Sequence, residues 1–314
     1  MMKNSEKEIG KTKTERVLIT GGYGFIGKFV CNTFRNADHD VMSVDKTGGN
    51  KKIDITDKEH LEWIFREYDP TAVIHLAALA GAPGRGGSAE SGKNPYEFFR
   101  VNFLGTLNVF ESCRQFGVKK VIHMSSFSPY GVTRGVIWEG TVFNPENPYG
   151  GSKVAAEYVA RIYAKCFGIK TVIFRAPLIV GEGQIEYNSI HEFVDCVLKN
   201  KPIIIFGEGT HLREWVHPED VARAFLLGLD YAEQMEASYE VFNLGSGDPL
   251  SMNDLAERIM KVTGKTVKLE HVKKPIMLFD QVTDLSKVRN VLGWQPQIGI
   301  EDIIKRVVKF RENL

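Results

Sequence analysis

Short apolar runs recur through the first half of the chain, and each ends at small or polar residues. The first, Arg16-Val17-Leu18-Ile19-Thr20, stops at a glycine cluster, and runs at 40–45, 72–77, 121–125 and 170–175 repeat the arrangement. A continuous apolar run of this length bounded by turn residues reads as a strand buried on both faces. Stretches at 25–36, 57–67, 94–116 and 149–167 lie between these runs and suit helices. Such strand–helix alternation predicts an α/β fold with a mostly parallel, doubly wound sheet. Beyond about residue 176 the pattern loosens. Helices are predicted there at 188–199, 218–231 and 251–262, with an amphipathic one closing the chain. The expected organisation is a polar lead-in at 1–14, a dinucleotide-binding domain at 15–180, and a region at 181–314. That last region mainly binds substrate and sends segments back to the first domain.

Composition narrows the function classes. Lys+Arg is 40 against Asp+Glu 39, for a net charge of +1, so no broad electropositive field argues for nucleic acid. Hydrophobic residues make up 43% of 314, enough for a sizeable core, and no apolar run is long enough for a membrane span. Cys31, Cys113, Cys166 and Cys196 form no CxxC pair and read as free thiols of a reducing compartment, which makes the cytoplasm the expected location. His211 and His217 lack metal-site spacing, His123 sits inside a predicted strand, and no metal is expected.

The glycine cluster carries the first chemistry. Thr20-Gly21-Gly22-Tyr23-Gly24-Phe25-Ile26-Gly27 joins the first strand to the first helix. Gly21 permits a tight turn, Gly24 lets the backbone approach a pyrophosphate at the helix N-terminus, and Gly27 lets that helix pack on the sheet. Asp45 lies 18 positions beyond Gly27, at the end of the second strand. A carboxylate there accepts from the ribose hydroxyls of adenosine and repels a 2′-phosphate, which favours NAD, although Lys46 beside it works against that preference. Asp54, followed by Ile55, is either a cap for the adenine amino group or a surface turn residue.

A second cluster supplies acid–base chemistry. Tyr149 and Lys153 stand four residues apart at the start of a predicted helix, on one face. A neighbouring ammonium favours the phenolate, which can take the proton of a sugar hydroxyl while hydride leaves the same carbon. Ser125 and Ser126 end the fourth predicted strand, where open α/β sheets place their ligand crevice. They are either hydroxyls for the reacting oxygen or plain turn serines.

Taken in order, the glycine turn, His75-Leu76-Ala77-Ala78, the run 101–108 containing Asn102, Ser125-Ser126, Tyr130-Gly131, Pro148 to Lys153, Arg213-Glu214-Trp215-Val216-His217, 243–247 and 292–296 resemble an extended short-chain dehydrogenase/reductase of the NAD-dependent nucleotide-sugar epimerase/dehydratase type. The resemblance runs from about residue 15 to the C-terminus. It implies a Rossmann-type sheet with a smaller C-terminal substrate-binding region. It implies Tyr149 as acid/base, Lys153 as its partner and nicotinamide-ribose ligand, and Ser126 as assisting hydroxyl. Gly21, Tyr23, Gly24, Phe25, Ile26, Gly27, Asp45, Asp54, Ile55, Leu76, Ala77, Ala78 and Asn102 are expected around NAD, Asn102 also supporting the site's architecture. Arg213 is expected on the nucleotide diphosphate, with a structural salt bridge as the alternative. Arg175 either anchors the domain interface or approaches substrate. A homodimer built on helices 94–116 and 149–167 is also implied, with no nucleic-acid or membrane partner.

Departures from the family narrow the reaction. Dehydratases carry an Asp-Glu pair where Phe127 and Ser128 stand here, and sugar-acid decarboxylases a Glu in place of Ser128. A 4-epimerase needs no such carboxylate. Epimerisation at C4 of a nucleotide-diphosphate sugar through a keto intermediate is therefore expected, with a net 4-dehydrogenase or 4-ketoreductase as the alternative. A non-catalytic NAD-binding regulator, and an enzyme of apolar ketones, are weighed against it; the intact Tyr149–Lys153 pair opposes the first and Arg213 the second. Residues 80–92, rich in glycine, read either as a mobile loop over the sugar or as a plain crossover loop, partly disordered without substrate. Arg85 within it and Ser128 are candidate substrate contacts.

Overall fold

The structure, a computed structural model, describes residues 14–80, 94–133, 135–184, 188–273 and 279–313. Arg85, most of the 80–92 loop and the polar lead-in lie outside the described residues.

The chain enters through β1 (Arg16–Thr20), α1 (Phe25–Asn36), β2 (Asp40–Asp45), β3 (Lys51–Lys52), α2 (Lys58–Tyr68) and β4 (Ala72–His75). Helix α3 (Pro95–Phe98) runs through a π-helical segment, Phe99–Leu104, into α4 (Gly105–Gln115). Strand β5 (Lys120–Met124) follows, then a 3-10 turn at Ser128–Tyr130, β6 (Val136–Ile137), α5 (Pro148–Phe167), β7 (Lys170–Arg175) and β8 (Leu178–Ile179). The later part holds α6 (Ser189–Leu198), β9 (Ile203–Phe206), β10 (Leu212–Arg213), β11 (Trp215–Val216), α7 (Pro218–Gln234), β12 (Tyr239–Asn243) and β13 (Leu250–Ser251). It ends with α8 (Met252–Thr263), β14 (Leu269–Val272), β15 (Val282–Thr283), α9 (Ser286–Leu292) and α10 (Ile300–Glu312).

Seven strands form one sheet in the order β12-β7-β5-β4-β1-β2-β3, every neighbouring pair parallel. The central strands β1, β4, β5 and β7 are buried almost end to end, which is why they read as unbroken apolar runs. Alternate residues feed two cores. Val17, Ile19, Ile74 and Phe174 meet α1 and α7, whose Phe34 and Phe225 fill one face. Leu18, Val73, Val121 and Ile173 meet α2, α4 and α5 on the other, with Phe65 and Phe110. A third core, with Phe193, Ile205, Trp215, Leu255 and Ile303, joins α6, α8 and α10 in the C-terminal region. Residues from that half also return to the sheet: β12 pairs with β7, and Trp294 donates its Nε1–H to the Asp220 carbonyl of α7 at 2.9 Å.

Candidate active site

Because the sheet is parallel, the carboxyl ends of β1, β2, β4 and β5 open on one edge, and the glycine turn, Asp45, Leu76 to Ala78 and Ser125-Ser126 follow those strand ends. Gly21 has φ +75°, and a Cβ on it would come within 2.6 Å of the Ala77 amide nitrogen. A Cβ on Gly27 would approach the Gly21 carbonyl oxygen to 2.1 Å. Both positions therefore require glycine for the turn to close onto β4 and for α1 to pack against it. Gly24 is the N-cap of α1, which receives no side-chain cap and has no acid in its first turn. That leaves free N–H groups and the positive end of a helix dipole for an anion. Phe25 and Ile26 open the helix, and Tyr23 lies against Gly48 in the turn after β2.

Asp45 ends β2 half-buried, with Oδ1 accepting from the Thr47 amide at 2.9 Å and hydroxyl at 2.8 Å. Its other oxygen has no partner among the described residues. Lys46 turns away and pairs with Asp54 at 3.1 Å. Asp54 also accepts from the Thr56 amide and hydroxyl, and these bonds with Lys46 hold its carboxyl below the usual range against a burial effect that pushes it up. Ile55 is buried against Gly105, its carbonyl held by Asn108 Nδ2 at 3.0 Å. Leu76 and Ala77 are half-buried and Ala78 is exposed at the end of β4. These groups fit NAD: a glycine cradle that side chains would fill, an uncapped helix end, and a carboxylate with a free oxygen at the ribose position.

Helix α5 carries the acid–base pair. Asn147 caps it, accepting from the Gly150 amide at 2.9 Å, and Pro148 supplies a pre-set first position. Tyr149 stands half-buried in the first turn, edge-on to Phe98 with ring centroids 6.1 Å apart. Lys153, one turn on, is buried, and its Nζ donates to the Met124 carbonyl of β5 at 2.6 Å. Burial pulls its pKa down to about 8, with the Glu157 carboxylate pulling the other way. A Cβ on Gly150 would stand 2.7 Å from the Ser128 carbonyl oxygen, so the missing side chain lets the 126–128 loop press on the helix beside Tyr149.

In that loop the Ser128 amide donates to Ser126 Oγ at 3.1 Å, and the two hydroxyls are 3.3 Å apart. Ser126 thus accepts from the Ser128 amide and places its own proton in the long contact to Ser128 Oγ. Ser125 is committed elsewhere: its hydroxyl donates to Glu157 at 2.5 Å. Phe127 turns into a small aromatic cluster, 5.4 Å from Tyr130. Positions 127 and 128 thus offer no carboxylate.

Arg175, left open between two roles, lies inside the protein. It is 1% exposed and donates from Nε and Nη2 to both oxygens of fully buried Glu157, at 2.9 and 2.7 Å, and from Nη1 to Tyr130 at 2.6 Å. It ties α5 to the sheet. Arg213 differs. Nη1 donates to the carbonyls of Leu212 and Phe279, the guanidinium covers the Phe279 ring at 4.8 Å, and no described carboxylate pairs with it. Burial holds its pKa down, at about 10, with Asp280 opposing. Its neighbour Glu214 accepts instead from the amides of Ser246, Gly247 and Thr283, which fixes the strand that presents Arg213.

Asn102 lies in the π-helical segment. Oδ1 accepts from the Leu79 amide at 2.7 Å, while Nδ2 donates to the Leu79 carbonyl at 3.1 Å and to Ser152 Oγ at 2.9 Å. Ser152, which in turn donates to the Tyr149 carbonyl at 2.7 Å, escaped the sequence reading although it stands beside Lys153. His123 stacks on His75 at 5.1 Å inside the core, and burial holds both rings far below the usual imidazole range. Glu182, His217 and Glu219 lie close enough to share an ion, but Arg306 already pairs with both carboxylates, and His217 Nδ1 accepts from the Glu219 amide.

The profile of the NAD dependent epimerase/dehydratase family matches residues 17–245. A UDP-glucuronate 4-epimerase of Thermodesulfobacterium geofontis is 32% identical, the alignment covering 95% of this chain and 96% of the relative. The crystal structure of UDP-glucose 4-epimerase from Thermotoga maritima with UDP-glucose superposes with a TM-score of 0.83 at 28% identity, over 95% and 98% of the two chains. That of the Thermus thermophilus UDP-glucose 4-epimerase complex with NAD gives 0.82 at 28%, over 95% and 99%. With the glycine turn, the Tyr149–Lys153 helix and the seven-stranded parallel sheet, these matches establish that the chain belongs to the NAD dependent epimerase/dehydratase family.

Proposed function

We infer that this protein is an NAD-dependent nucleotide-sugar epimerase, and that it inverts C4 of a UDP-linked hexose or hexuronate. The observation that carries this reading is helix α5 at the carboxyl end of β5: it carries Tyr149 and, one turn on, the buried Lys153 bonded to Met124, and its Gly150 admits the loop that holds Ser126 and Ser128. The names of the relatives, one for UDP-glucuronate and others for UDP-glucose, support the substrate class.

In the proposed mechanism Arg213 binds the diphosphate; its lack of a carboxylate partner and its desolvated guanidinium make it ready for an anion. Gly21, Gly24 and Gly27 shape the seat of the NAD pyrophosphate, and Asp45 accepts from the adenosine ribose. Tyr149 takes the proton of the C4 hydroxyl, and Ser126 donates its proton to the same oxygen to hold it in place. The Lys153 ammonium favours the Tyr149 phenolate and binds the nicotinamide ribose. NAD, when bound, supplies hydride acceptance and return at that carbon. In the second half Tyr149 gives its proton back, so the residues end as they began and no carboxylate is needed, in keeping with Phe127 and Ser128.

Mixing NAD⁺-loaded enzyme with UDP-, GDP-, CDP- and dTDP-sugars and following 340 nm absorbance tests the reading. A new stereoisomer of a UDP-sugar without net NADH is expected. Stoichiometric NADH with an oxidised sugar would make the protein a dehydrogenase instead.

We also propose that the enzyme is a cytoplasmic homodimer. The four cysteines are free, which suits a reducing compartment. No helix among the described residues is long and apolar enough to cross a membrane. Phe99, Phe103 and Leu104, with Tyr158 and Ile162 of α5, are exposed although large and apolar, as an interface between two copies requires. Sedimentation of Ile162→Glu as a monomer, against a wild-type dimer, checks this.

A further inference from the structure

A row of polar side chains crosses the otherwise apolar core between the sheet and helices α4 and α5. Thr20, His75 and His123 occupy one register across β1, β4 and β5. His75 is 1% exposed, yet both ring nitrogens are matched: Nδ1 lies 2.7 Å from Thr20 Oγ1 and Nε2 lies 2.9 Å from Thr106 Oγ1.

The partners decide which nitrogen carries the proton. The Thr106 hydroxyl donates to the Asn102 carbonyl at 2.5 Å, so toward His75 it can only accept, and Nε2 bears the hydrogen. Nδ1 is then the acceptor, and Thr20 donates to it. The Ala77 amide donates in turn to Thr20 Oγ1 at 3.4 Å. At the other end Asn102 Nδ2 donates to Ser152 Oγ, and Ser152 donates to the Tyr149 carbonyl. Two runs of donors meet at Asn102: one starts at the Ala77 amide, against which Gly21 packs, and ends on the Asn102 backbone carbonyl, and the other starts at the Asn102 side-chain amide and ends in the first turn of α5.

We propose that His75 is a positioning residue, the centre of an ordered relay of two hydrogen-bonded runs joined through Asn102, which holds the NAD-binding segment after β4 and the Tyr149 helix as a single unit. The inference rests on the epimerase reading for what Tyr149 does, but not for the relay itself. Bonds within each run polarise one another, and a break in either run frees Asn102, which both share, to shift. A second proton on His75 would set two donors facing each other at Thr20 or at Thr106. Its burial keeps the ring neutral at working pH.

Three variants and a double variant test this. Thr106→Val removes the acceptor for His75 and the donor to Asn102 at nearly constant shape. Ser152→Ala breaks the far end, and Thr106→Ser keeps the hydroxyl. Each of Thr106→Val and Ser152→Ala is expected to lower kcat about 10-fold with KM for the nucleotide sugar within about 2-fold, the double variant to be no worse than the weaker single, and Thr106→Ser to stay within about 3-fold of wild type. The same proteins are titrated with NADH by fluorescence, a readout independent of which sugar is turned over. Ser152→Ala is expected to weaken NADH about 3-fold in the wild-type background and not at all in Thr106→Val. Multiplying losses in the double variant, a Thr106→Ser as impaired as Thr106→Val, or lowered melting temperatures with unchanged kcat and NADH affinity would each overturn the relay. Wild-type inactivity on every sugar would instead overturn the epimerase reading, and the NADH couplings would still decide the relay.

Discussion

At the scale of single residues, roles follow from what each side chain is already bonded to. Ser125, Arg175 and Glu214 have strong hydrogen bonds within the protein, whereas Ser126 spends its proton only on a long 3.3 Å contact to Ser128, and Asp45 and Arg213 keep an oxygen and a charge to offer. Tyr149→Phe removes the proton carrier and leaves the helix intact. It is expected to lower kcat by about 10²–10⁴-fold with NAD affinity little changed, measured by steady-state assay and NADH titration. A drop below 10-fold would mean that another group moves the proton. Arg213→Ala is expected to raise KM for a UDP-sugar by about 10–100-fold, the scale of a lost charge-assisted hydrogen bond, and to leave the melting temperature close to wild type because no ion pair is broken. A large loss of stability with unchanged KM would show that Arg213 serves the fold.

At the scale of elements, helix α5 puts function ahead of helical propensity. Glycine is a poor helix former, yet Gly150 and Gly151 occupy its first turn, where Gly150 admits the Ser128 carbonyl. Gly150→Ala should therefore damage kcat more than stability: alanine gains about 1 kcal/mol of propensity while its methyl displaces the Ser126 loop. Turnover unchanged in a more stable protein would contradict this. Helix α5 was largely readable from the sequence, because the Tyr–Lys spacing and the long apolar stripe both belong to a regular helix. So were the central strands, whose burial on both faces writes itself as unbroken apolar runs. The helix expected at 94–116 was legible only in part. Its π-helical segment holds Asn102, which bonds a backbone 23 positions away, and no local periodicity records such a long-range tie. Arg175 stayed ambiguous for the same reason, since its partner Glu157 is found only once α5 packs on β7. Asp45 and the glycines were legible because a turn and a strand end fix their surroundings locally.

At the scale of the molecule, several histidines are buried without charge. Burial lowers His75 to about 3 and His191 to about 4, and lowers His39 and His123 as well. The unfolded chain, near 6.5, binds protons first as pH falls. The folded-state contribution is thus complete above pH 6.5 and declines as pH drops through the window from 6.5 toward 3. At pH 5 the loss is about 2 kcal/mol each for His75 and His191. The melting temperature should fall steadily between pH 7 and pH 5; a flat profile would mean that these rings find protons without unfolding.

Strand β12 completes the sheet at one edge, from residues 239–243, although its partner β7 ends at Arg175. During synthesis, the amide and carbonyl groups on that side of β7 face water, or a neighbouring nascent chain, until more than sixty further residues have left the ribosome. A ribosome stalled before β12 emerges would hold an open, sticky β-edge, and chaperones that shield such edges would be expected to engage the nascent chain in that interval and release it afterwards.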